Sequence, residues 1–410
     1  MDNRKSLKVF MDKTQVGTLA LYDSWRVAFE YTDEWIANGF SISPFSLPLV
    51  KNVFIPKIES PFDGLFGVFW DSLPDGWGRL LVDRMLLKNG VNPEEVMPLT
   101  RLAIVGNNGM GALSYKPSAM DDSLIGNKSF DELSEEATKI LNDKKSDSLD
   151  ELYAAGGSSG GARPKILTKI EGEDWIVKFR SSEDPKDIGY IEYEYNLCAR
   201  ECGIEIPDVV LLPSNICDGY FAVKRFDRNP SVHMISASAL LEVSHRIPTL
   251  DYNSLMQLTL ELTKSYAEVE KLYRLMCFNV FAHNRDDHSN NFTYLYKDGA
   301  WILSPAYDLT YSSSIGGEHA TTVNGNGKNP GMEEVLAVAD KIGLQKNKAR
   351  AIAQAIHDKT QTLRDYYPEP KFNRETIEAI EEGRAILEGR IESKAYKNLD
   401  EVLKEIEDEN

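Results

Sequence analysis

The sequence predicts an α+β fold of two lobes, one rich in strands and one helical, preceded by an α/β subdomain. Short apolar runs separated by turn residues fill residues 7–55 and return between residues 164 and 227, as expected for antiparallel strands. Helical periodicity dominates from residue 333 onwards. A polar, charged stretch separates the two strand-rich parts. We therefore divide the chain into a subdomain (1–117), a linker with a helix (118–150), a β-rich N-lobe (151–228) and a helical C-lobe (229–410).

Composition narrows the classes of function. The chain has 410 residues, of which 42% are hydrophobic, and a net charge of -18. Such a chain can build folded cores, but its acidity makes it a poor direct ligand for nucleic-acid phosphates. Its four cysteines form no C-x-x-C pair, which predicts free thiols in a reducing compartment. No apolar run approaches the length of a membrane span and no signal peptide is recognisable, so we expect a cytoplasmic protein without membrane contact.

The subdomain is predicted from four short strands and a helix. Strands are expected over residues 7–10, 16–22, 25–31 and 45–50, and helical spacing begins at Gly78. A Gly-rich connection over residues 101–115 leads into a strand but lacks the G-x-G-x-x-G order of a dinucleotide loop.

The linker contains one well-marked helix. Ser129 and Glu132 have the spacing of a capping box for a helix over residues 130–141. Residues 142–148 are polar and charged, and we expect them to be the loosest part of the chain.

The N-lobe begins with a Gly-rich segment that is a candidate phosphate site. It contains Gly156, Gly157, Ser158, Ser159, Gly160 and Gly161 and leads into a strand that ends near Thr168. Glycines let the backbone curl so that several N–H groups face one phosphate. Lys178 lies on the next predicted strand, over residues 175–180, where an ammonium meets nucleotide phosphates in protein kinases. The competing interpretations are a flexible linker and a solvated lysine.

A helix and two strands complete this lobe. The helix is predicted over residues 189–202 and carries two acids, of which Glu194, or else Glu192, is expected to orient Lys178. Strands over residues 209–212 and 220–227 follow, and the end of the second is the expected hinge for adenine. This order of elements is that of the N-lobe of a protein kinase.

The C-lobe carries a polar loop with candidate catalytic residues. Asp286 is followed after four intervening residues by Asn291, and Asp308 comes later. An Asp that takes a hydroxyl proton, and an Asn and a later Asp that hold a metal, have this spacing in protein kinases. A helix over residues 272–281 and a hairpin over residues 292–303 would place the three side chains at the ends of rigid elements.

Other interpretations of this loop stay open. Asp, Asn and His are common in turns because their side chains bond the local backbone. His283 and His288 are also possible zinc ligands, although no cysteine or third histidine lies nearby in the sequence.

The rest of the C-lobe is predicted to be one long loop followed by helices. The loop, residues 310–331, is rich in Ser, Gly and Asn and occupies the position of a kinase activation segment. Helices are expected over residues 333–342, 346–364 and 374–391, before an acidic end at residues 400–410. The order of the candidate features along the chain predicts a nucleotide-dependent phosphotransferase with a bilobed, protein-kinase-like fold. These features are the Gly-rich loop, the lysine, the acid-bearing helix, the hinge, the Asp/Asn loop and the metal-binding Asp.

The chain also resembles the HipA family of bacterial toxin kinases. The segments that carry the resemblance are Leu73–Arg79, Gly109–Ser114, Gly161–Lys165, Val223–Arg228, Asn284–Phe292, Tyr307–Leu309 and Gly317–Asn324. The resemblance implies ATP and Mg²⁺ as cofactors and phosphorylation of Ser or Thr on a protein. It implies Asp286 as the catalytic base, Asn291 and Asp308 as metal ligands and Lys178 as the phosphate lysine. For ATP it implies the hinge residues Lys224, Arg225 and Phe226, with Asp227 and His288 among the nucleotide contacts.

The resemblance further implies regulation and a partner. Ser158, or its neighbour Ser159, would become phosphorylated, and a phosphate of about two negative charges would expel the loop from the ATP site. A small HipB-like, DNA-binding antitoxin would bring this acidic protein to an operator. The protein substrate implied is an aminoacyl-tRNA synthetase or another translation component. The alternatives are a small-molecule kinase of the aminoglycoside or choline type and a non-catalytic protein that binds nucleotide to sense it.

Overall fold

Antiparallel sheets with helices packed on them position every part of the candidate site. The structure, a computed structural model, describes residues 4–118, 128–157, 160–313 and 315–367. The strands are β1 (Ser6–Met11), β2 (Thr14–Leu21), β3 (Val27–Tyr31), β4 (Val53–Phe54), β5 (Leu113–Lys116), β6 (Lys165–Ile170), β7 (Glu173–Lys178), β8 (Val209–Leu212), β9 (Tyr220–Lys224), β10 (His233–Ser236), β11 (Thr293–Lys297) and β12 (Ala300–Leu303). The helices are α1 (Asp33–Asn38), α2 (Gly67–Trp70), α3 (Gly76–Lys88), α4 (Pro98–Val105), α5 (Phe130–Leu141), α6 (Leu149–Gly156), α7 (Ile188–Glu201), α8 (Ala237–Leu241), α9 (Tyr252–Thr263), α10 (Tyr266–Phe281), α11 (Met332–Ile342) and α12 (Lys346–Thr360).

The N-terminal sheet brings together the two ends of the subdomain. Its strand order is β4-β3-β2-β1-β5, so the last strand of the subdomain pairs with the first. Val9 lies opposite both Gly17 and Tyr115 and is fully buried. A Cβ at Gly17 would lie 2.4 Å from the Phe29 ring, so the glycine makes room for that core side chain.

The predicted linker packs into a core that it shares with its neighbours. Ser129 and Glu132 form the expected capping box of α5. Buried Leu133 from α5 and Leu152 from α6 join one apolar cluster with Trp77 from α3 and Val177 from β7. Segment 128–157 therefore connects the subdomain to the N-lobe by packing, in addition to its covalent connection.

The N-lobe sheet has the strand order β6-β7-β9-β8 and is antiparallel throughout. Lys165 on β6 lies directly opposite Lys178 on β7. Helix α7 packs against β8 and β9. Two lysines and an acid-bearing helix thus meet at one end of the lobe.

The C-lobe is built on helix α10, whose residues Leu272, Tyr273, Met276 and Phe278 are fully buried. Helices α9, α11 and α12 pack around it. The predicted hairpin is β11–β12, and β10 adds a third strand that sequence patterns did not reveal. The hairpin is tied to α10, because the Leu303 N–H donates to the Glu268 carboxylate at 2.8 Å.

Three expected elements differ from the structure. Residues 45–50 form turns and an isolated bridge between Ser43 and Leu47 in place of a strand. The Gly-rich loop begins later than expected, because α6 continues to Gly156. Helix α12 ends at Thr360 and a 3-10 helix, Gln361–Tyr366, completes the predicted helical stretch.

Some predictions fall on residues that the structure does not describe. Ser158 and Ser159, the helix expected over 374–391 and the acidic end at 400–410 lie outside the described residues. Residues up to Tyr366 form one compact unit. None of the described helices is long and apolar enough to cross a membrane.

Candidate active site

A large cleft runs between the N-lobe sheet and the polar loop of the C-lobe. Its volume is about 910 Å³. The walls include Lys178 on β7, Phe226 after β9, Asp286 on the polar loop and Asp308 after β12. The subdomain closes another side with residues 71–75 and 110–113. The sequence predictions from three separate segments therefore converge on one cavity.

Lys178 is held by two carboxylates in this cleft. Its ammonium donates to Glu192 Oε1 at 2.5 Å and also forms an ion pair with Asp308. Although burial alone would lower the pKa of Lys178, Asp308 and Glu192 together raise it well above its ordinary value. The lysine is therefore a permanent cation fixed at the back of the cleft.

The structure corrects the first choice of the orienting acid. Glu192 is buried with its carboxylate on Lys178, whereas Glu194 is two residues further along α7 and only partly buried. Two residues correspond to about 200° around a helix, so only one of the two acids can face β7. The alternative named in the sequence analysis, Glu192, is the residue that contacts the lysine.

Asp308 stands on a strained piece of backbone between Tyr307 and Leu309. Its φ is 53°, in the left-handed region that non-glycine residues rarely adopt. Burial raises the pKa of its carboxyl, but Lys178 and Lys165 outweigh burial and hold the pKa far below the usual value. Asp308 is thus an anion at any ordinary pH and a suitable oxygen ligand for a divalent cation.

Asp286 behaves in the opposite way. Its side chain is 64% exposed, and solvent in the cleft reaches the carboxylate. The surrounding walls nevertheless raise its pKa by desolvation, and the negative charges of Asp308 and Asp287 raise it further, against a lowering by His288. A raised pKa brings a carboxylate closer to the range in which it accepts protons from a substrate near neutral pH.

Asn291 and His288 frame this carboxylate. The Asn291 amide Nδ2 donates to the backbone oxygen of Asp286 at 2.7 Å. This bond uses the amide nitrogen, so the amide oxygen is the Asn291 atom that could bind a metal ion. His288 Nε2 lies 3.9 Å from Asp286 Oδ1, and its ring is 5.5 Å from that of His245. His288 and Asn291 both line the cleft.

Two cations of the cleft were missed by sequence reasoning. Lys165 is 7% exposed, and burial lowers its pKa to about 8 with a further lowering by Lys178. Among the described residues no carboxylate forms an ion pair with it. Arg163 donates to Asp184 at 3.1 Å and lines the cleft. Lys165 could have been placed opposite Lys178 from the pairing of the two strands, but that pairing is known only once the strand boundaries are known.

The predicted Gly-rich residues divide into two groups. Gly160 and Gly161 line the cleft, and Gly161 has a φ of 82°. Gly156 and Gly157 end helix α6, where a Cβ at Gly156 would lie 2.6 Å from the Lys165 oxygen and 3.1 Å from Trp77 Nε1. Close packing at a helix end accounts for Gly156 in the structure, and neither Gly156 nor Gly157 is among the residues that line the cleft.

The predicted hinge is anchored to the first two residues of β7. Lys224 pairs with Glu173 at 3.5 Å, and the Arg225 N–H donates to the Asp174 oxygen at 2.8 Å. Phe226 lines the cleft, with its ring 5.9 Å from that of Tyr307. The hinge therefore has one aromatic side chain placed to contact a flat ligand.

Asp227 has other partners than those predicted for it. The residue is 1% exposed, and its carboxylate accepts from the guanidinium groups of Arg225 and Arg228 and from the Gly111 N–H at 2.7 Å. These bonds tie the hinge to the subdomain. Asp227 also lines the cleft, and its contact with a nucleotide stays a prediction.

The residues present fit a nucleotide with a divalent cation. Mg²⁺ is held in phosphotransferases by one or two side-chain oxygens together with substrate phosphates. Asn291 and Asp308 supply such oxygens, and Lys178 and Lys165 supply positive charge for phosphates. A zinc site at His283 and His288 does not fit, because the two rings line different cavities. The described residues contain no group of three or more His, Cys, Asp or Glu side chains that could hold a metal.

Two family models match the chain. The model described as HipA N-terminal domain matches residues 7–116, and the HipA-like C-terminal domain matches residues 157–363. No curated protein matches it.

Solved structures show a related fold. A chain from the Shewanella oneidensis MR-1 toxin–antitoxin complex of HipA, HipB and its operator DNA aligns with a TM-score of 0.65 at 17% identity. The alignment covers 90% of this chain and 92% of that one. The Helicobacter pylori proinflammatory kinase CtkA aligns with a TM-score of 0.36 at 14% identity, over 50% of this chain and 90% of that one. The first likeness shows a shared fold, and the second is too weak for an argument.

Proposed function

The chain belongs to the HipA family, and on that premise we propose that it is an ATP- and Mg²⁺-dependent serine/threonine protein kinase. The observation that carries the proposal is the double ion pair of Lys178 with Glu192 and Asp308 in a cleft that also contains Asp286. Phosphoryl transfer from a nucleotide requires a phosphate cation, its orienting acid, a metal ligand and a base, and we assign these roles to Lys178, Glu192, Asp308 and Asp286 in that order.

The protein's own groups would act by position and charge. Lys178 and Lys165 would bind phosphate oxygens, and Asn291 and Asp308 would hold the Mg²⁺, which neutralises phosphate charge when bound. Asp286 would accept the proton of a serine or threonine hydroxyl as that oxygen bonds to the terminal phosphorus of ATP, while the bond from this phosphorus to the β,γ-bridging oxygen breaks and ADP leaves. Its raised pKa suits a group that takes up a proton during the reaction.

We further propose that the protein is the toxin of a type II toxin–antitoxin pair. Support comes from family membership and from the fold shared with the Shewanella HipA chain, which was solved with HipB and operator DNA. A HipB-like partner would supply the DNA contact that a chain of net charge -18 does not favour. A cytoplasmic location, a translation component as target and self-inactivation at Ser158 or Ser159 belong to the same proposal.

The proposal is tested by the fate of the terminal phosphate. The purified protein is incubated with γ-labelled ATP, Mg²⁺ and a bacterial extract, beside Asp286→Gln and the surface control Asp340→Gln. Label in protein bands with the parent and the control, and none with Asp286→Gln, is the expected result. Label confined to small molecules would replace the proposal with a small-molecule kinase. Tight nucleotide binding without any transfer would favour the non-catalytic alternative.

A further inference from the structure

A second cavity lies beside the polar loop of the C-lobe and shares no lining residue with the nucleotide cleft. Its volume is about 220 Å³. Arg285, Lys328 and Arg364 line it, and the other polar lining residues are three histidines, Asn329 and Gln361. None of the described lining residues is acidic. A cavity whose charged lining residues are all basic is unexpected in a chain of net charge -18.

Arg285 gives the first indication of a ligand. It immediately precedes Asp286, and its Nε is buried without a hydrogen-bond partner in the part of the chain that the structure describes. A buried donor without a partner is costly, and in native proteins such a group usually has an ion or a ligand to bind. The planar guanidinium offers five N–H donors in a fork that matches the oxygens of phosphate.

The charges around the cavity give the second indication. Burial lowers the pKa of His283, and the positive charges of Arg285, His319 and Arg364 lower it further. The acids nearest to the other two histidines are already engaged, since Asp287 pairs with His319 at 2.9 Å and Asp358 with His357 at 3.2 Å. Arg285 and Arg364 therefore repel a positive charge on His283, and an anion between these groups would remove that repulsion.

We propose that this cavity binds a phosphate group, with Arg285 as the inner ligand and Arg364 and Lys328 at the rim. The volume suffices for the group and its hydration, since a water molecule takes up about 30 Å³ of liquid. Arg364 and Lys328 are exposed and accessible to an incoming anion. This inference rests on the cavity alone and does not depend on the proposed kinase activity.

Two sources of the phosphate are chemically equivalent at this site. One is the free ion, and the other is a phosphoserine on the adjacent loop. The Ser312 N–H donates to the His283 oxygen at 3.1 Å, so the loop runs beside the cavity. Ser312 lines the nucleotide cleft, and the next residue, Ser313, is exposed and accessible to modification.

Calorimetric titration with inorganic phosphate at constant ionic strength tests the site. The parent is compared with Arg285→Gln and Arg364→Gln. Arg350→Gln is the matched control, because it removes the same charge from an exposed position on α12 outside the cavity. We expect the parent and the control to share one Kd and the two cavity variants to bind at least about tenfold more weakly. Lys328→Gln replaces Arg285→Gln if melting curves show that the latter is unfolded.

Absence of phosphate binding to the parent, or one Kd for all variants, would overturn the proposal. The source is then decided with phosphoserine installed at position 313. Loss of free-phosphate binding in that protein assigns the site to the loop phosphate, because the tethered group occupies it. Undiminished binding assigns the site to the free ion.

Discussion

At the scale of single residues, the cleft holds two carboxyl groups whose pKa values are pushed in opposite directions. Lys178 and Lys165 keep Asp308 ionised, while desolvation and neighbouring acids raise the pKa of Asp286. Such a divergence separates a permanent metal ligand from a group that exchanges protons. The divergence supports the different roles that we propose for these two residues of the same type.

The Glu192–Lys178 contact gives the first prediction. Glu192→Gln removes one of two anions that hold the lysine, and we expect kcat/KM for ATP to fall by about 10- to 100-fold, the value of a charge-assisted hydrogen bond. Glu194→Gln is the control on the same helix and is expected to remain within about threefold of the parent. Steady-state kinetics measures both. Equal losses in the two variants would contradict the structural choice of Glu192.

The raised pKa of Asp286 gives a prediction about pH. The base must be ionised to accept a proton, so activity is lost as the pH falls through its pKa. Because that pKa lies above the ordinary value of 3.8, the acid limb of the kcat/KM profile should lie at higher pH than an unperturbed Asp would give. His288→Gln removes a charge that lowers this pKa and should move the limb further up. A limb that moves down would show that another group is being titrated.

Lys165 gives a prediction that couples stability to binding. Its pKa of about 8 in the folded state is below the unfolded value of 10.5, so the charged form is disfavoured by folding at pH 7. The resulting decrease in the free energy of unfolding is fully present below pH 8 and disappears as the pH rises towards 10.5. Lys165→Met should therefore raise the free energy of unfolding at pH 7 by about 2–4 kcal/mol and weaken nucleotide binding. Urea titrations at pH 7 and pH 10 measure the effect, and destabilisation at pH 7 would refute it.

The sequence predicted the residues whose role depends on spacing along the chain. Asp286, Asn291, Asp308 and Lys178 all line the cleft. Lys165, Arg163 and the choice of Glu192 depend on strand register and helix phase, which short motifs do not encode.

At the scale of elements, helix α3 and the Gly-rich loop fix each other. The Trp77 N–H donates to the Gly161 oxygen at 2.9 Å, and the Trp77 indole donates to the Lys165 oxygen at 3.0 Å. The helix of the subdomain thus holds the loop that is expected to contact phosphates. Movement of α3 would change the position of both Gly161 and Lys165.

Gly76 tests this contact. Its φ is 44°, and a Cβ there would lie 2.5 Å from the Gly161 oxygen. Gly90 has a φ of 72° but nothing within 4 Å, so Gly90→Ala carries backbone strain of about 1–2 kcal/mol without a clash. We expect Gly76→Ala to lower the melting temperature more than Gly90→Ala and to raise KM for ATP several-fold. Equal effects of the two substitutions would mean that the loop does not depend on α3.

Helices and strands were predicted correctly from the sequence where apolar periodicity and capping residues were clear. The capping box of α5, the stop of α11 at Gly343 and the β11–β12 hairpin are confirmed. β10 was missed because its four residues follow a turn and acquire strand geometry only by pairing with β11. Gly156 and Gly157 were predicted in a loop because glycines favour loops, but they end α6, where Gly156 packs against Trp77 of α3 and Gly157 against Tyr153 of the same helix.

At the scale of the whole molecule, the subdomain is bonded to both lobes. The Asp227 carboxylate joins the hinge to Gly111, and the Asp71 carboxylate accepts from the Ser236 N–H at 2.7 Å in the C-lobe. Glu242 accepts from the Gly67 N–H and the Ser46 hydroxyl. Burial raises the pKa of Asp71 to about 7, which shows how far this contact is removed from water. Polar ties of this kind fix the relative positions of the walls of the cleft.

These ties mark the limit of sequence reasoning for the whole molecule. Apolar patterns and motif order are properties of a single segment and predicted a β-rich lobe, a helical lobe and a front subdomain. The partners of Asp227, Asp71 and Glu242 are 116, 165 and 175 residues away in the chain, and each pair forms only after folding brings the parts together. Such pairs have no local signal.

The central claim is that Asp286 drives phosphoryl transfer to a protein hydroxyl. Intact-mass and peptide mass spectrometry of the protein incubated with ATP and Mg²⁺, beside Asp286→Gln, tests it most directly. The account predicts one added phosphoryl group, on Ser158 or Ser159, in the parent only. Phosphate in both proteins would show that Asp286 is not the base. Phosphate in neither would contradict transfer to the protein's own hydroxyls.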